Sequence, residues 1–119
     1  MKTTAVALAA MEVFRDKMGK GSSDIAFSNV LALLTIGQHA EIPVAHVEKA
    51  LGLSQAATSR NLTRLGPGRP GEPGMHLVEQ YEDPYDRRNK IAKLTPEGRE
   101  ILRALDVRLA RLLKVATND

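Results

Sequence analysis

Leu51-Gly52-Leu53-Ser54-Gln55 is the stretch that decides how this chain of 119 residues folds. Gly52 can take the left-handed backbone conformation that ends a helix, Leu53 can plug the angle between two helices, and Ser54 can cap the next helix by accepting a backbone N–H. A short helix over about 44–51 therefore precedes the turn, with Pro43 in its first turn and Val47, Ala50 and Leu51 facing inward. A second helix follows over about 55–65. Its inner face is Thr58, Leu62 and Leu65, spaced i, i+4, i+7, while Gln55, Ala56, Ser59, Arg60 and Arg64 fall largely on the other side. Two short helices joined by a tight glycine turn, the second polar and basic outside, form a helix-turn-helix.

Working outward, residues 66–74 read Gly-Pro-Gly-Arg-Pro-Gly-Glu-Pro-Gly, a composition that excludes helix and ladder strand and predicts a loop. Beyond it, 75–81 and 90–95 read as two short antiparallel strands flanking a polar turn over 82–89. Thr95-Pro96-Glu97-Gly98 then starts a helix, with Thr95 as cap, that runs to about residue 115. Its leucine seam, Leu102, Leu105, Leu109 and Leu112, wants a partner helix, either the N-terminal helix of its own chain or the same helix of another. Upstream, a central and buried helix covers about 28–39. A first helix covers 3–18 with Ala7, Met11, Phe14 and Met18 along one face, and 19–24 breaks the chain. Helix-turn-helix followed by a hairpin is a winged helix, so the fold class is mainly α with a small β-hairpin. We expect one domain over 1–119: an N-terminal helix and linker over 1–24, a winged core over 25–95 and a C-terminal helix over 96–119.

Composition removes several classes of function. With no cysteine there is no disulfide scaffold, thiolate zinc site or thiol switch. Aromatic residues are 3% of the chain and there is no Trp, which argues against binding single-stranded nucleic acid by stacking. The N-terminus lacks a signal peptide and no apolar stretch spans a bilayer, so the sequence predicts no membrane partner and a cytoplasmic location. His39, His46 and His76 are scattered without metal-ligand spacing. The carboxylate pairs Glu82/Asp83 and Glu97/Glu100 mark no cleft, and the Gly/Pro run lacks the strand, Lys and helix start of a phosphate-binding loop. The expectation is no enzyme and no cofactor. The net charge is only +3, but it is unevenly placed. Residues 54–69 hold Arg60, Arg64 and Arg69 and no acid, and Arg87, Arg88, Lys90 and Lys93 follow the acids Glu82, Asp83 and Asp86. A polyanion would need both basic spots on one face.

The run Asp86-Arg87-Arg88-Asn89-Lys90-Ile91-Ala92-Lys93-Leu94-Thr95-Pro96-Glu97-Gly98 resembles the wing signature of the multiple-antibiotic-resistance regulator (MarR) family, and Asp83-Pro84-Tyr85-Asp86-Arg87-Arg88 resembles its wing tip. Leu51-Gly52-Leu53-Ser54-Gln55 and Ser59-Arg60-Asn61-Leu62 are similar to the start of its recognition helix, and Leu77-Val78-Glu79 to its first wing strand. The resemblance covers about residues 30–102. It implies a homodimeric repressor that binds double-stranded DNA at a pseudo-palindromic operator, with dimerisation helices at both ends of the chain and a small phenolic or lipophilic effector. No residue here argues for that effector. Leu8, Phe14, Leu102, Leu105, Leu109 and Leu112 are the dimerisation candidates.

On the DNA reading, the 55–65 helix enters the major groove beside Ala56, where Gln55 can pair with adenine and Arg60 with guanine or phosphate. Ser54 and Ser59 suit phosphate contacts, and Arg64, Arg87 and Lys90 add charge. The resemblance makes Arg88 the residue that reaches the minor groove and Asp86 the acid that orients it; otherwise the two only tie a hairpin turn. Three features depart from the family. The chain is short for it, so the resemblance implies trimmed dimerisation helices at its ends. Thr58 stands where the family has a buried aliphatic, which should loosen the helix slightly, and 66–74 is an insertion, either a mobile loop or an extra contact to a partner. Two other readings remain open: a winged-helix module for protein–protein assembly, and an architectural or replication-associated DNA binder without ligand regulation.

Overall fold

The computed structural model describes residues 2–18 and 25–118. In chain order they form α1 (Lys2–Met18), α2 (Phe27–Gly37), β1 (Ile42–Pro43), α3 (Val44–Leu51), α4 (Gln55–Leu65), β2 (Gly68–Arg69), β3 (Glu72–Pro73), β4 (Val78–Asp83), β5 (Asp86–Leu94) and α5 (Pro96–Asn118). They group into two compact units. Residues 26–99 make a winged unit, and the described residues before 26 together with 100–118 make a helical one.

The winged unit is built around α2. Ala32, Leu33 and Ile36 are fully buried, as expected of a helix apolar nearly all round, and α3, α4 and β5 pack against it. Val47 of α3, Leu62 and Leu65 of α4, and Val78 and Ala92 of the sheet close the core. Each Val, Leu or Ile side chain among them contributes about 1.5–3 kcal/mol on removal from water. α3 and α4 have the expected bounds, and Thr58, Leu62 and Leu65 are all buried. Ala50, however, is exposed. An eight-residue helix has room for a narrow inner stripe only, and Val47 fills it.

The sheet differs from the expected hairpin in two respects. It has three strands, ordered β1-β5-β4, because Ile42 and Pro43 pair antiparallel with Ala92 and Ile91 before α3 begins. Pro43 thus ends an edge strand, where a missing N–H is tolerated, and at the same time is the N-cap residue of α3, one position before the first turn expected for it. The wing strands also run further toward the tip than their sequence indicates. β4 reaches Asp83 and β5 starts at Asp86, so Pro84 and Tyr85 alone make the turn in place of the eight residues over 82–89. The outer part of the wing carries no core beneath it, and without a buried face there is no apolar alternation to read.

The base of the wing is locked to the start of α5. The Thr95 hydroxyl donates to the His76 carbonyl at 2.7 Å and accepts the Gly98 N–H at 3.1 Å, confirming Thr95 as the cap. A Cβ at position 98 would lie 2.1 Å from the Leu77 carbonyl oxygen, so the helix can approach this closely only with glycine there.

The Gly/Pro segment is not a plain loop. Gly68–Arg69 and Glu72–Pro73 pair as a miniature antiparallel hairpin turning at Pro70-Gly71. Three prolines preset the backbone and glycines at 68 and 71 supply positive φ, so turn residues that discourage long strands permit this two-rung ladder.

In the helical unit the buried side chains are Ala9, Val13, Phe14 and Leu105. The expected inner face of α1 is therefore only partly correct: Phe14 lies inside, but Ala7 is exposed and Met11 is 41% exposed. Among the dimerisation candidates, Phe14 and Leu105 are already buried within the chain, Leu102, Leu109 and Leu112 are half-buried, and Leu8 is 63% exposed. The Met18 side chain, the break over 19–24 and Asp119 lie outside the described residues. Among the described residues no helix is long and apolar enough to cross a membrane.

One polar contact in the core fixes α4 on α2. Asn29 Nδ2 donates to Asn61 Oδ1 at 2.7 Å, Asn61 Nδ2 donates to the Ala57 carbonyl at 2.9 Å, and Asn29 Oδ1 accepts the Ala26 N–H at 3.0 Å. Both side chains are buried, and every buried side-chain polar atom among the described residues has a partner. Replacing Asn61 by Ala strands the Asn29 amide and should cost about 1–3 kcal/mol, read as a lower urea midpoint with an unchanged m-value. A midpoint equal to the wild type would show that the pair does not hold α4.

Candidate nucleic-acid interface

The turn between α3 and α4 is built as its residues dictate. Gly52 adopts the left-handed conformation at φ 65°, and its N–H reaches the Glu48 and Lys49 carbonyls. Leu53 is half-buried in the angle, and the Ser54 hydroxyl accepts the Ala57 N–H at 3.1 Å. Its own O–H remains a donor. The Thr58 hydroxyl donates to the Ser54 carbonyl at 2.9 Å, so the polar atom that stands in place of an aliphatic is satisfied within its own helix. With the inner face thus closed, Ser54, Gln55, Ala56, Ser59 and Arg60 are exposed and Arg64 is half-buried.

The wing tip is organised by Asp86. Its two carboxylate oxygens accept from Arg88 Nε at 3.0 Å and Nη2 at 3.2 Å, and they also accept the Arg88 backbone N–H at 3.2 Å and Asn89 Nδ2 at 3.3 Å. This two-pronged geometry directs the guanidinium while leaving the Arg88 side chain 90% exposed. The bonds from the Arg88 guanidinium, and then from its backbone N–H, hold the Asp86 carboxyl below the ordinary carboxylate range, and the carboxylate raises Arg88 further above its already high value. Asp83 accepts the Tyr85 N–H at 2.9 Å and tightens the turn, where Tyr85 is 97% exposed. Arg87 and Lys90 are exposed on the same segment.

Lys93 has a different task. It pairs with Glu79 at 3.4 Å and lies 5.6 Å from the centre of the Tyr81 ring, while the Tyr81 hydroxyl donates to Glu41. That bond, helped by partial burial and by the charges of Glu41, Asp83 and Glu79, pushes the phenol up to about 12. These side chains brace the wing against the segment before β1.

Helix and wing open onto one concavity. A cleft of about 460 Å³ is lined by Gln55 and Ser59 of α4, by Arg88, Asn89 and Lys90 of the wing, and by the N-terminal part of α3 including His46. The polar start of α4 and the basic wing tip, some thirty positions apart in the sequence, thus line one cleft, with Glu48 and Asp83 also at its wall, whereas Arg60, Arg64 and Arg69 line a second cleft at the other end of α4. Among the described residues no group of His, Asp or Glu could hold a metal ion.

The chain matches no protein-family model and no curated protein, whereas many solved structures share its architecture. It is similar to MarR, at 20% identity and a TM-score of 0.62 over 93% of this chain and 77% of that one. This is the MarR-type winged-helix fold. It is also similar to a mutant of MepR from a multidrug-resistant S. aureus clinical isolate, at 18% identity and a TM-score of 0.77 over 98% of this chain and 76% of that one. A third match is Streptococcus pneumoniae FabT, solved in complex with DNA, at 18% identity and a TM-score of 0.72 over 98% and 76%. The MarR-like motifs of the sequence and the fold therefore agree, and the wing signature acquires physical reasons: Asp86 orients Arg88, and Gly98 permits the approach of α5 to Leu77.

Sequence reasoning did not find the Asn29–Asn61 pair or the role of Asn89. The only signal for the first was an amide on the inner face of each of two adjacent helices. The second has none beyond its place three residues after Asp86.

The Asp86–Arg88 link has a pH signature. Because the folded carboxyl titrates below its unfolded value, the stability that the link contributes is present above the ordinary carboxyl pKa of about 3.9 and is lost as pH falls through the lowered folded value. In an NMR titration Asp86 should titrate below the other exposed carboxyls, and Arg88→Ala should return it toward the ordinary range. No change on Arg88→Ala would show that the fork is not formed in solution.

Proposed function

We propose that this chain is a homodimeric, sequence-specific regulator of transcription, a repressor of MarR type, that binds double-stranded DNA with α4 in the major groove and the wing in the adjoining minor groove. The observation that carries this reading is the shared cleft, which sets the outer face of α4 and the Arg88 wing tip on one side of a single unit. A duplex is the polyanion whose neighbouring grooves fit two such elements. FabT, which has the same fold, has been solved bound to DNA.

Roles divide by chemistry. Gln55 and Arg60 lie on the exposed side of α4; Gln55 is suited to a base edge and Arg60 to guanine or to a phosphate, while Ser54, Ser59, Arg64, Arg87 and Lys90 are suited to phosphates. Ala56 is small enough to let the helix approach. Arg88, aimed by Asp86 before DNA arrives, is suited to a narrow minor groove, where negative potential is concentrated. Preorientation lowers the entropy lost on binding. In the helical unit the apolar side chains of Leu8 and Val107 are 63% and 57% exposed, area that a second copy would take out of water.

Selection of sites from a random duplex pool should return a pseudo-palindrome with half-sites about one helical turn apart. Arg88→Ala should weaken binding to most sequences, whereas Gln55→Ala or Arg60→Ala should relax discrimination at particular base pairs by about 1–3 kcal/mol. A pool that enriches no sequence would refute sequence-specific binding. Helix variants with wild-type base preferences would refute the assignment of α4.

A further inference from the structure

The 66–74 segment is rigidly attached to the end of α4. The last carbonyls of a helix lack partners within it. Here the Met75 N–H donates to the Arg64 carbonyl at 2.9 Å, the Leu77 N–H to Leu65 at 2.7 Å and the His76 N–H to Gly66 at 3.0 Å. The chain leaving the miniature hairpin thus supplies the acceptors at the helix end with donors. A Cβ on Gly74 would lie 2.1 Å from the Gly66 carbonyl oxygen and 2.9 Å from that of Arg64, so close packing of hairpin on helix requires glycine there. With Pro67, Pro70 and Pro73 fixing φ, the hairpin is a preset extension of α4.

That extension carries charge. Between β2–β3 and the C-terminal half of α4 lies a cleft of about 230 Å³ lined by Arg60, Thr63, Arg64, Arg69 and Glu72 among others. Three arginines and one glutamate are thus among the residues that line it. Neither Arg60 nor Arg69 makes an ion pair among the described residues, although Arg69 stands opposite Glu72 in the ladder. Two guanidiniums without an ion pair among the described residues, those of Arg60 and Arg69, beside one concavity favour a planar or tetrahedral oxyanion, and the cleft adjoins the helix assigned above to the major groove.

We propose that this cleft seats a backbone phosphate of the DNA bordering the major groove, with Arg69 as an added cationic contact and Glu72 limiting its strength. The inference rests on the DNA reading above. It gives the segment that interrupts the MarR resemblance a function: a third phosphate-contacting element besides α4 and the wing, contributing affinity without base preference.

The test is fluorescence anisotropy of the full chain with an AT-rich and a GC-rich random duplex, between about 50 and 200 mM salt. Arg69→Ala should reduce the magnitude of the slope of log K against log salt by about 0.9, equally on both duplexes. Arg69→Lys should keep most of the slope, and Glu72→Gln should strengthen binding at low salt. Arg69 is exposed, so these variants keep their fold. A steep wild-type slope that Arg69→Ala leaves unchanged would overturn this proposal alone. A wild type with no salt-dependent affinity would overturn the DNA reading and this proposal with it.

Discussion

The seating of α4 on α2 is the constraint on which the rest depends. Thr58, Leu62 and Leu65 turn inward, and the Asn29–Asn61 bond fixes where along α2 the helix sits. Apolar burial supplies most of the energy but is tolerant of small slides, whereas a buried amide-to-amide hydrogen bond at 2.7 Å is not. Because the inner face is fully committed, the outer face of α4 is presented in one orientation, and the wing and the miniature hairpin both take their positions from it.

Two modes of preorganisation meet around that helix. At the wing tip a single carboxylate collects four donors and aims an almost fully exposed guanidinium. At the other end of α4 the backbone does the work: prolines and glycines hold Arg69 on the cleft that Arg60 also lines, with no ion pair to Arg69 among the described residues. The first is a device of charge and is sensitive to acid; the second is a device of sterics and is not. In both, the entropy of ordering an exposed cation is spent on folding rather than on binding.

Much of this was legible in the residues. The Gly52-Leu53-Ser54 turn placed α3 and α4 at their observed bounds, because left-handed glycine, plug and cap each have a local cause. The Thr95 cap was equally local. What escaped was non-local or lacked a buried face. β1 exists only through its pairing with Ala92 and Ile91. The outer wing has no core beneath it, so its strands carry no alternation. The hairpin over 68–73 hides in a composition that normally signals loops, and the true inner stripe of α1 runs through Ala9 and Val13 because alanine marks both faces alike. At the site, the exposed face of α4 and the Asp86–Arg88 fork followed from the sequence, but their convergence on one cleft is a property of the tertiary fold.

The most direct test of the account is an amide NMR titration of the chain with a short duplex. Residues 54–60 and 87–90 should shift together, along one binding curve, since one ligand spans both. Shifts confined to either segment, with the other unmoved at saturation, would contradict it.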